Sequence, residues 1–174
     1  MSTEVHKWKW YIPQGATILL IGTFPTHERN WSFNFFYPNC ANNFWRVMSA
    51  IADTELKYLS GNEAIAERKL ILDKLKTGVT DMGLRVKRND GASVDHKLEL
   101  AECMDIKSIL DEHKTINKII LTSSSGKVSA LAWFKEYLNK ERIKFSFEKK
   151  QLPFYGHADI RGKINVAVVK STSP

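Results

Sequence analysis

Cysteine is scarce in this sequence: its 174 residues hold only Cys40 and Cys103, far apart and outside any Cys-x-x-Cys or Cys/His spacing. Structural zinc sites need their ligands at such spacings, so no metal is expected, and unlinked thiols fit a reducing compartment. Long apolar runs are also missing. The longest, Ile18 to Ile21, falls far short of the roughly 20 residues that a membrane-spanning helix requires. The opening Met-Ser-Thr-Glu-Val-His lacks the basic start and apolar stretch of a secretory signal, which makes a cytoplasmic location the expectation. No internal repeat, low-complexity segment or dividing linker is present, and no Gly-x-Ser-x-Gly elbow of a serine hydrolase. Ser123-Ser124-Ser125-Gly126-Lys127 lacks both the spaced first glycine of a phosphate loop and the Ser or Thr after its lysine, which sets aside a nucleotide triphosphatase.

What is present is enough for one core. A chain of 174 residues, 43% hydrophobic, reads as a single domain over 1–174. Lys and Arg number 26 against 19 Asp and Glu, for a formal charge of +7. That balance favours a polyanionic partner, with nucleic acid the first suspect, although charge alone does not settle it.

Periodicity supplies the elements. Ala16 to Ile21 reads as a buried strand ending at Gly22, and Gly22 to Asn42 as a long loop of the kind that carries function. A helix starts near Asn42 or Asn43, with Asn suited to cap it and Phe44, Trp45, Val47, Met48 and Ile51 on its apolar side. A second helix runs from Asn62 to Lys76 and is stopped by Gly78. Val79 to Met82 forms a second strand, and the polar stretch between Leu84 and Glu102, with Arg85, Lys87, Arg88, Asn89, Asp90 and Gly91, reads as an exposed basic loop. A helix from Asp105 to His113, a strand from Ile116 to Thr122, a helix after Ser123-Gly126 and a last strand from Ile164 to Val169 complete the series. The alternation predicts an α/β fold, a three-layer α/β/α sandwich around a mainly parallel four-stranded sheet. In such folds ligands bind beyond the carboxyl ends of the strands, where Gly22, Asp81, Ser123 and Ser171 fall.

Gly22-Thr23-Phe24-Pro25, followed by Phe36-Tyr37-Pro38-Asn39-Cys40-Ala41-Asn42-Asn43-Phe44-Trp45-Arg46-Val47, resembles the first motif region of mismatch-specific and hypoxanthine-type DNA glycosylases of the uracil-DNA glycosylase superfamily. Gly78-Val79-Thr80-Asp81 and the terminal Val168-Val169-Lys170-Ser171-Thr172-Ser173-Pro174 resemble the family's second strand and second motif, in the expected order. In the family that motif leads on into a further helix.

The resemblance implies a monofunctional glycosylase, monomeric and without a cofactor, that flips a deaminated or mispaired base out of double-stranded DNA and hydrolyses its bond to deoxyribose. It implies base binding by Gly22, Thr23, Phe24, Tyr37 or Phe36, and Asn39, with Tyr37 stacking on the base. Asn42 matches the catalytic asparagine of the hypoxanthine-type relatives, and Asp81 is a candidate base. Ser171, Thr172 and Ser173 would enter the minor groove and reach phosphates, with Ser123, Ser124 and Lys127 as further DNA contacts. Two departures stand out. Phe24 occupies the place where many relatives carry a water-orienting Asp or Asn, and the second motif lacks the histidine that some aim at the departing base. Phe24 in place of an acid or amide motivates a second reading, a noncatalytic DNA-binding module of the same fold; a third reading is a small-molecule-binding α/β protein. His27, His96 and His157 are isolated, with His157 the best placed to approach the site.

Overall fold

A computed structural model describes residues 2–88, 98–148 and 151–173. In chain order its strands are β1 (Ser2–Val5), β2 (Trp10–Tyr11), β3 (Ile18–Gly22), β4 (Thr77–Asp81), β5 (Gly83–Arg88), β6 (Leu98–Cys103), β7 (Lys118–Leu121), β8 (Phe145–Phe147), β9 (Phe154–Asp159) and β10 (Lys163–Val168). The helices are α1 (Phe44–Ile51), α2 (Gly61–Leu75), α3 (Ile106–Glu112) and α4 (Ala130–Lys140), with a short 3-10 turn at Glu28–Asn30.

The main sheet has seven strands in the order β2-β4-β3-β7-β10-β9-β8. Its centre, β4-β3-β7-β10, is parallel throughout, and β2, β9 and β8 add antiparallel edges. The expected four-stranded sheet is thus the middle of a wider one. The added strands are poor in sequence signal: β2 has two residues and β8 three, and β9 reads Phe-Tyr-Gly-His-Ala-Asp without apolar alternation. β9 instead forms a hairpin with β10 around Gly162, whose φ of +74° places it in the left-handed region.

Strand alternation divides the core in two. Leu19 and Ile21 of β3 face one cluster with Ile119, Leu121, Val166 and Val168, covered by Ile106 and Leu110 of α3 and Phe134 and Leu138 of α4. Leu20 and Val79 face the other, covered by Phe44, Trp45 and Met48 of α1, Ile71 and Leu72 of α2, and the loop rings Phe33, Phe35 and Phe36. No helix of the described residues is long and apolar enough to cross a membrane.

Three local expectations are corrected. Lys76, not Gly78, ends α2, taking a left-handed φ of 49°. Gly78 lies inside β4, where an added Cβ would sit 2.8 Å from Ile12 Cγ1. α4 begins at Ala130 rather than directly after Gly126, because Ser129 caps it by accepting the Ala132 N–H. Much of the expected basic loop is the antiparallel pair β5-β6, which joins β1 in a separate three-stranded sheet. Its charges hid it, since only Val86 marks a buried apolar position between Arg85, Lys87 and Arg88. Asn89, Asp90, Gly91 and His96 lie outside the described residues.

Arg88 is the most consequential part of that correction. It is 1% exposed; its Nε donates to Glu4 Oε1 at 2.8 Å and its second terminal nitrogen to the Pro25 carbonyl at 2.9 Å. The small sheet therefore holds the loop after β3 from behind. Removing one member of a buried charged pair destabilises by about 3–5 kcal/mol, whereas an exposed pair contributes about 1 kcal/mol or less. Arg88→Ala should accordingly lower the urea unfolding free energy by about 3 kcal/mol. Arg85→Ala, which loses an exposed ion pair with Glu102, should change it by less than about 1 kcal/mol.

Candidate active site

A cavity of about 200 Å³ opens at the carboxyl ends of the parallel strands. Thr23 follows β3, Asp81 ends β4, Thr122 and Ser123 follow β7, and Ser171 and Ser173 come from the tail after β10. The long loop supplies Phe24, Pro25 and Thr26 on one side and Tyr37, Pro38, Asn39 and Asn42 on the other. Asp81 carries the one charged side chain among the described residues that line it.

At the floor, Asp81 is 5% exposed and meets His6, whose Nε2 lies 2.8 Å from Oδ2. β1 delivers this histidine: the chain leaves its pairing with β5, and the His6 N–H donates to the Leu84 carbonyl at 2.8 Å. Gly22 is the spacer beneath them. A Cβ there would collide with Asp81 Oδ1 and lie 2.8 Å from the Tyr37 hydroxyl, so only a bare Cα lets both groups cross the strand end. Tyr37 itself has a left-handed φ of 50°, stacks on Phe44 with 3.6 Å between ring centres, and lies 2.8 Å from Thr122 Oγ1. Thr122 in turn donates to the Ile21 carbonyl at 3.3 Å, which makes the Tyr37 hydroxyl a donor to Thr122. Burial, and next the Asp81 charge, push the Tyr37 phenol well above its ordinary range.

At the mouth, the Asn42 side chain ties the two sequence motifs together. Its Oδ1 accepts the Phe44 N–H and the Thr172 hydroxyl, each at 2.8 Å, and its Nδ2 donates to Ser173 Oγ at 3.2 Å. The Asn43 N–H adds a bond to the Thr172 carbonyl at 3.1 Å. With its oxygen occupied, Asn42 faces the cavity as a donor through its second amide hydrogen. Ser171 and Ser173 accept bonds within this knot and keep their own hydroxyl hydrogens available, whereas the Thr172 hydroxyl is consumed by Asn42. Asn39 Oδ1 accepts the Ala41 N–H at 2.9 Å, shaping the turn that carries Asn42.

Other expected residues lie elsewhere. Phe36 is fully buried against His6, Trp8 and Phe35, outside the cavity lining, because its ring fills the core on the side covered by α1 and α2. Ser124 and Lys127 do not line the cavity, and Lys127 is exposed. Ser123 reaches it, but its Oγ accepts the Ala130 N–H at 2.8 Å and its carbonyl the Leu131 N–H at 3.1 Å. These bonds, with the Ser129 cap, occupy the first amides of α4, so the helix end is closed to a phosphate. His157 pairs opposite Asn165 and Ser146 in the sheet and stays out of the cavity. His6 and the Phe44 support of Tyr37 were not read from sequence. Seventy-five positions separate His6 from Asp81, and Phe44 carries only the signal of a helix core residue.

No family model and no curated protein matches the sequence. The fold is similar to the solution NMR structure of a chain provisionally named a uracil DNA glycosylase, from Methanosarcina acetivorans, with a TM-score of 0.59 and 16% identity over 94% of this chain and 81% of that one. The chain therefore has the α/β fold of that structure.

Tyr11 is also a raised phenol, pushed from 10.0 to about 12 by burial and by its hydrogen bond to Asp73. A raised acid binds more protons folded than unfolded, so this contribution is complete below pH 10 and disappears as pH rises towards 12. Unfolding free energy measured from pH 8 to 12 should fall over the upper part of that window. Tyr11→Phe should make the fall shallower; an unchanged slope would place the effect elsewhere.

Proposed function

We propose that the protein is a monofunctional DNA glycosylase that hydrolyses the N-glycosidic bond of a deaminated or mispaired base flipped out of double-stranded DNA. The observation that carries this reading is convergence: Asn42 of the first loop and Thr172 and Ser173 of the tail are bonded to one another on the rim of one cavity with Asp81 at its floor. The name of the structure with a similar fold supports the same reading, as does the net charge of +7, which favours association with phosphates.

In this reading the roles follow depth in the cavity. DNA stays outside, so the deoxyribose and the bond to be broken lie at the mouth, and the far edge of the base reaches the floor. Tyr37, backed by Phe44, offers the π surface on which a base stacks, a service tolerant of base identity. The free Asn42 amide hydrogen donates to the base as negative charge gathers on it, so that the C1′–N bond breaks with less unfavourable charge separation. Water then supplies the oxygen to C1′ and a proton to the released base. No lysine among the described residues lines the cavity, which favours water over an amine nucleophile. Ser171 and Ser173 hold the flanking phosphates through their free hydroxyl hydrogens.

Single-turnover assays on duplexes carrying uracil, hypoxanthine or thymine opposite guanine test this, with alkali-labile sites as the readout. Asn42→Ala should slow base release by about 100-fold. Tyr37→Ala should mainly weaken lesion binding, by about 1–3 kcal/mol for a lost stacking surface. Absence of alkali-labile sites on every lesion duplex sinks the enzymatic reading. Salt-dependent binding without turnover, unchanged by Asn42→Ala, selects instead the noncatalytic module that Phe24, in place of an acid or amide, first suggested.

A further inference from the structure

The resemblance assigns all three hydroxyls of the tail to DNA, but the structure turns the middle one inward. Ser171 and Ser173 line the cavity, whereas Thr172 does not and is half-buried. The tail leaves the sheet after the Val169 N–H, which donates to the Leu121 carbonyl at 3.0 Å. Beyond it, the hydrogen bonds that join the tail to other described residues run to Asn42 and Asn43. The Thr172 carbonyl accepts the Asn43 N–H at 3.1 Å, and its hydroxyl donates to Asn42 Oδ1 at 2.8 Å. The backbone of Thr172 therefore seats the tail, while its side chain acts on the Asn42 amide.

The Phe44 N–H can only donate, so the Asn42 atom it meets at 2.8 Å is the oxygen. Donors approach such an oxygen near the plane of its carbonyl, along the two lone-pair directions. One donor fixes the oxygen but leaves the amide able to pivot about that single bond. A second donor on the same oxygen defines the plane, and Thr172 is that donor. With the plane set and one Nδ2 hydrogen accepted by Ser173 Oγ at 3.2 Å, the direction of the remaining hydrogen follows.

Resting on the reading of Asn42 as the donor to the departing base, we propose that Thr172 is a positioning residue whose hydroxyl aligns the Asn42 amide for base release and contacts no DNA. The two motifs, 130 positions apart, then work as one unit, the second holding the donor of the first. Bond cleavage depends on this alignment, because an amide hydrogen stabilises charge on the leaving base only while it is directed at it. Affinity for DNA does not, since Thr172 leaves the phosphates to the serines on either side.

The test is single-turnover kinetics on the lesion duplex that the wild-type protein cleaves fastest, over a range of protein concentrations, which separates the maximal rate of base release from the half-saturating concentration. Thr172→Val keeps the shape of the side chain and removes its hydroxyl. It should lower the maximal rate by about 10-fold and move half-saturation by less than about 2-fold. Thr172→Ser should bring the rate back to within about 3-fold of wild type. On the Asn42→Ala background Thr172→Val should slow base release no further, because two residues that act through one group are not additive. Thermal unfolding checks that each variant folds, and Thr172→Ala is a second variant without the hydroxyl. No base release by the wild-type protein from any lesion duplex would overturn both this inference and the glycosylase reading. With an active wild type, a maximal rate unchanged in Thr172→Val and Thr172→Ala, or a loss that Thr172→Ser does not recover, overturns the positioning role alone. A loss confined to half-saturation, or one equally large on the Asn42→Ala background, also overturns it and returns Thr172 to direct contact with DNA.

Discussion

The parallel pairing of β3 on both of its edges is the constraint from which the site follows. Ile18 stands opposite both Thr77 and Lys118, which brings Gly22 level with Asp81 and Ile21 level with Leu121. β10 continues the register, with Val168 opposite Leu121, so the tail leaves the sheet beside the loop after β3. Side chains alternate along a strand, and a slip of one residue would turn Asp81 away from Gly22 and expose apolar residues of both core faces. Register and site are thus fixed by the same apolar burial.

Two irregular segments are then anchored to that frame by polar bonds rather than by ladders. The loop between β3 and α1 is held at one end by Arg88 on the Pro25 carbonyl and at the other by Trp45, whose Nε1 donates to the Phe36 carbonyl at 2.9 Å. The tail is held by Asn42. Because each of these donors and acceptors is satisfied within the protein, the groups left facing the cavity are directional, among them Asp81 Oδ1, one Asn42 amide hydrogen and the serine hydroxyls, while Thr26, which lines the same cavity, keeps a buried hydroxyl unpaired.

The three-stranded sheet has a part in this beyond stability. It places His6 behind Asp81 and Arg88 behind Pro25, supporting the floor and one wall of the cavity from the same side. Neither residue lines the cavity, yet both set the position of groups that do. Polar side chains buried at such places are tolerated because each is paired: Arg88 with Glu4 and His6 with Asp81 and the Trp8 amide.

The parallel strands of the main sheet, three of the four helices with near-correct limits, and the position of Gly22, Asp81, Ser123 and Ser171 at strand ends were legible in the sequence, because short apolar runs and helical periodicity report local burial directly. The motif residues Tyr37, Asn39, Asn42 and Ser173 were legible as well, and the structure gathers them around one cavity. The strands β5 and β6 were not, since charges alternate with single apolar residues and the partner of β5 on its other edge, β1, lies some eighty positions away. Phe36 and Tyr37 are neighbours of similar chemistry, and only packing decided that the first fills the core while the second reaches the cavity. The joining of His6 to Asp81 had no local signature at all: it arises from how an N-terminal strand packs against a distant one, a long-range event that composition and periodicity do not encode.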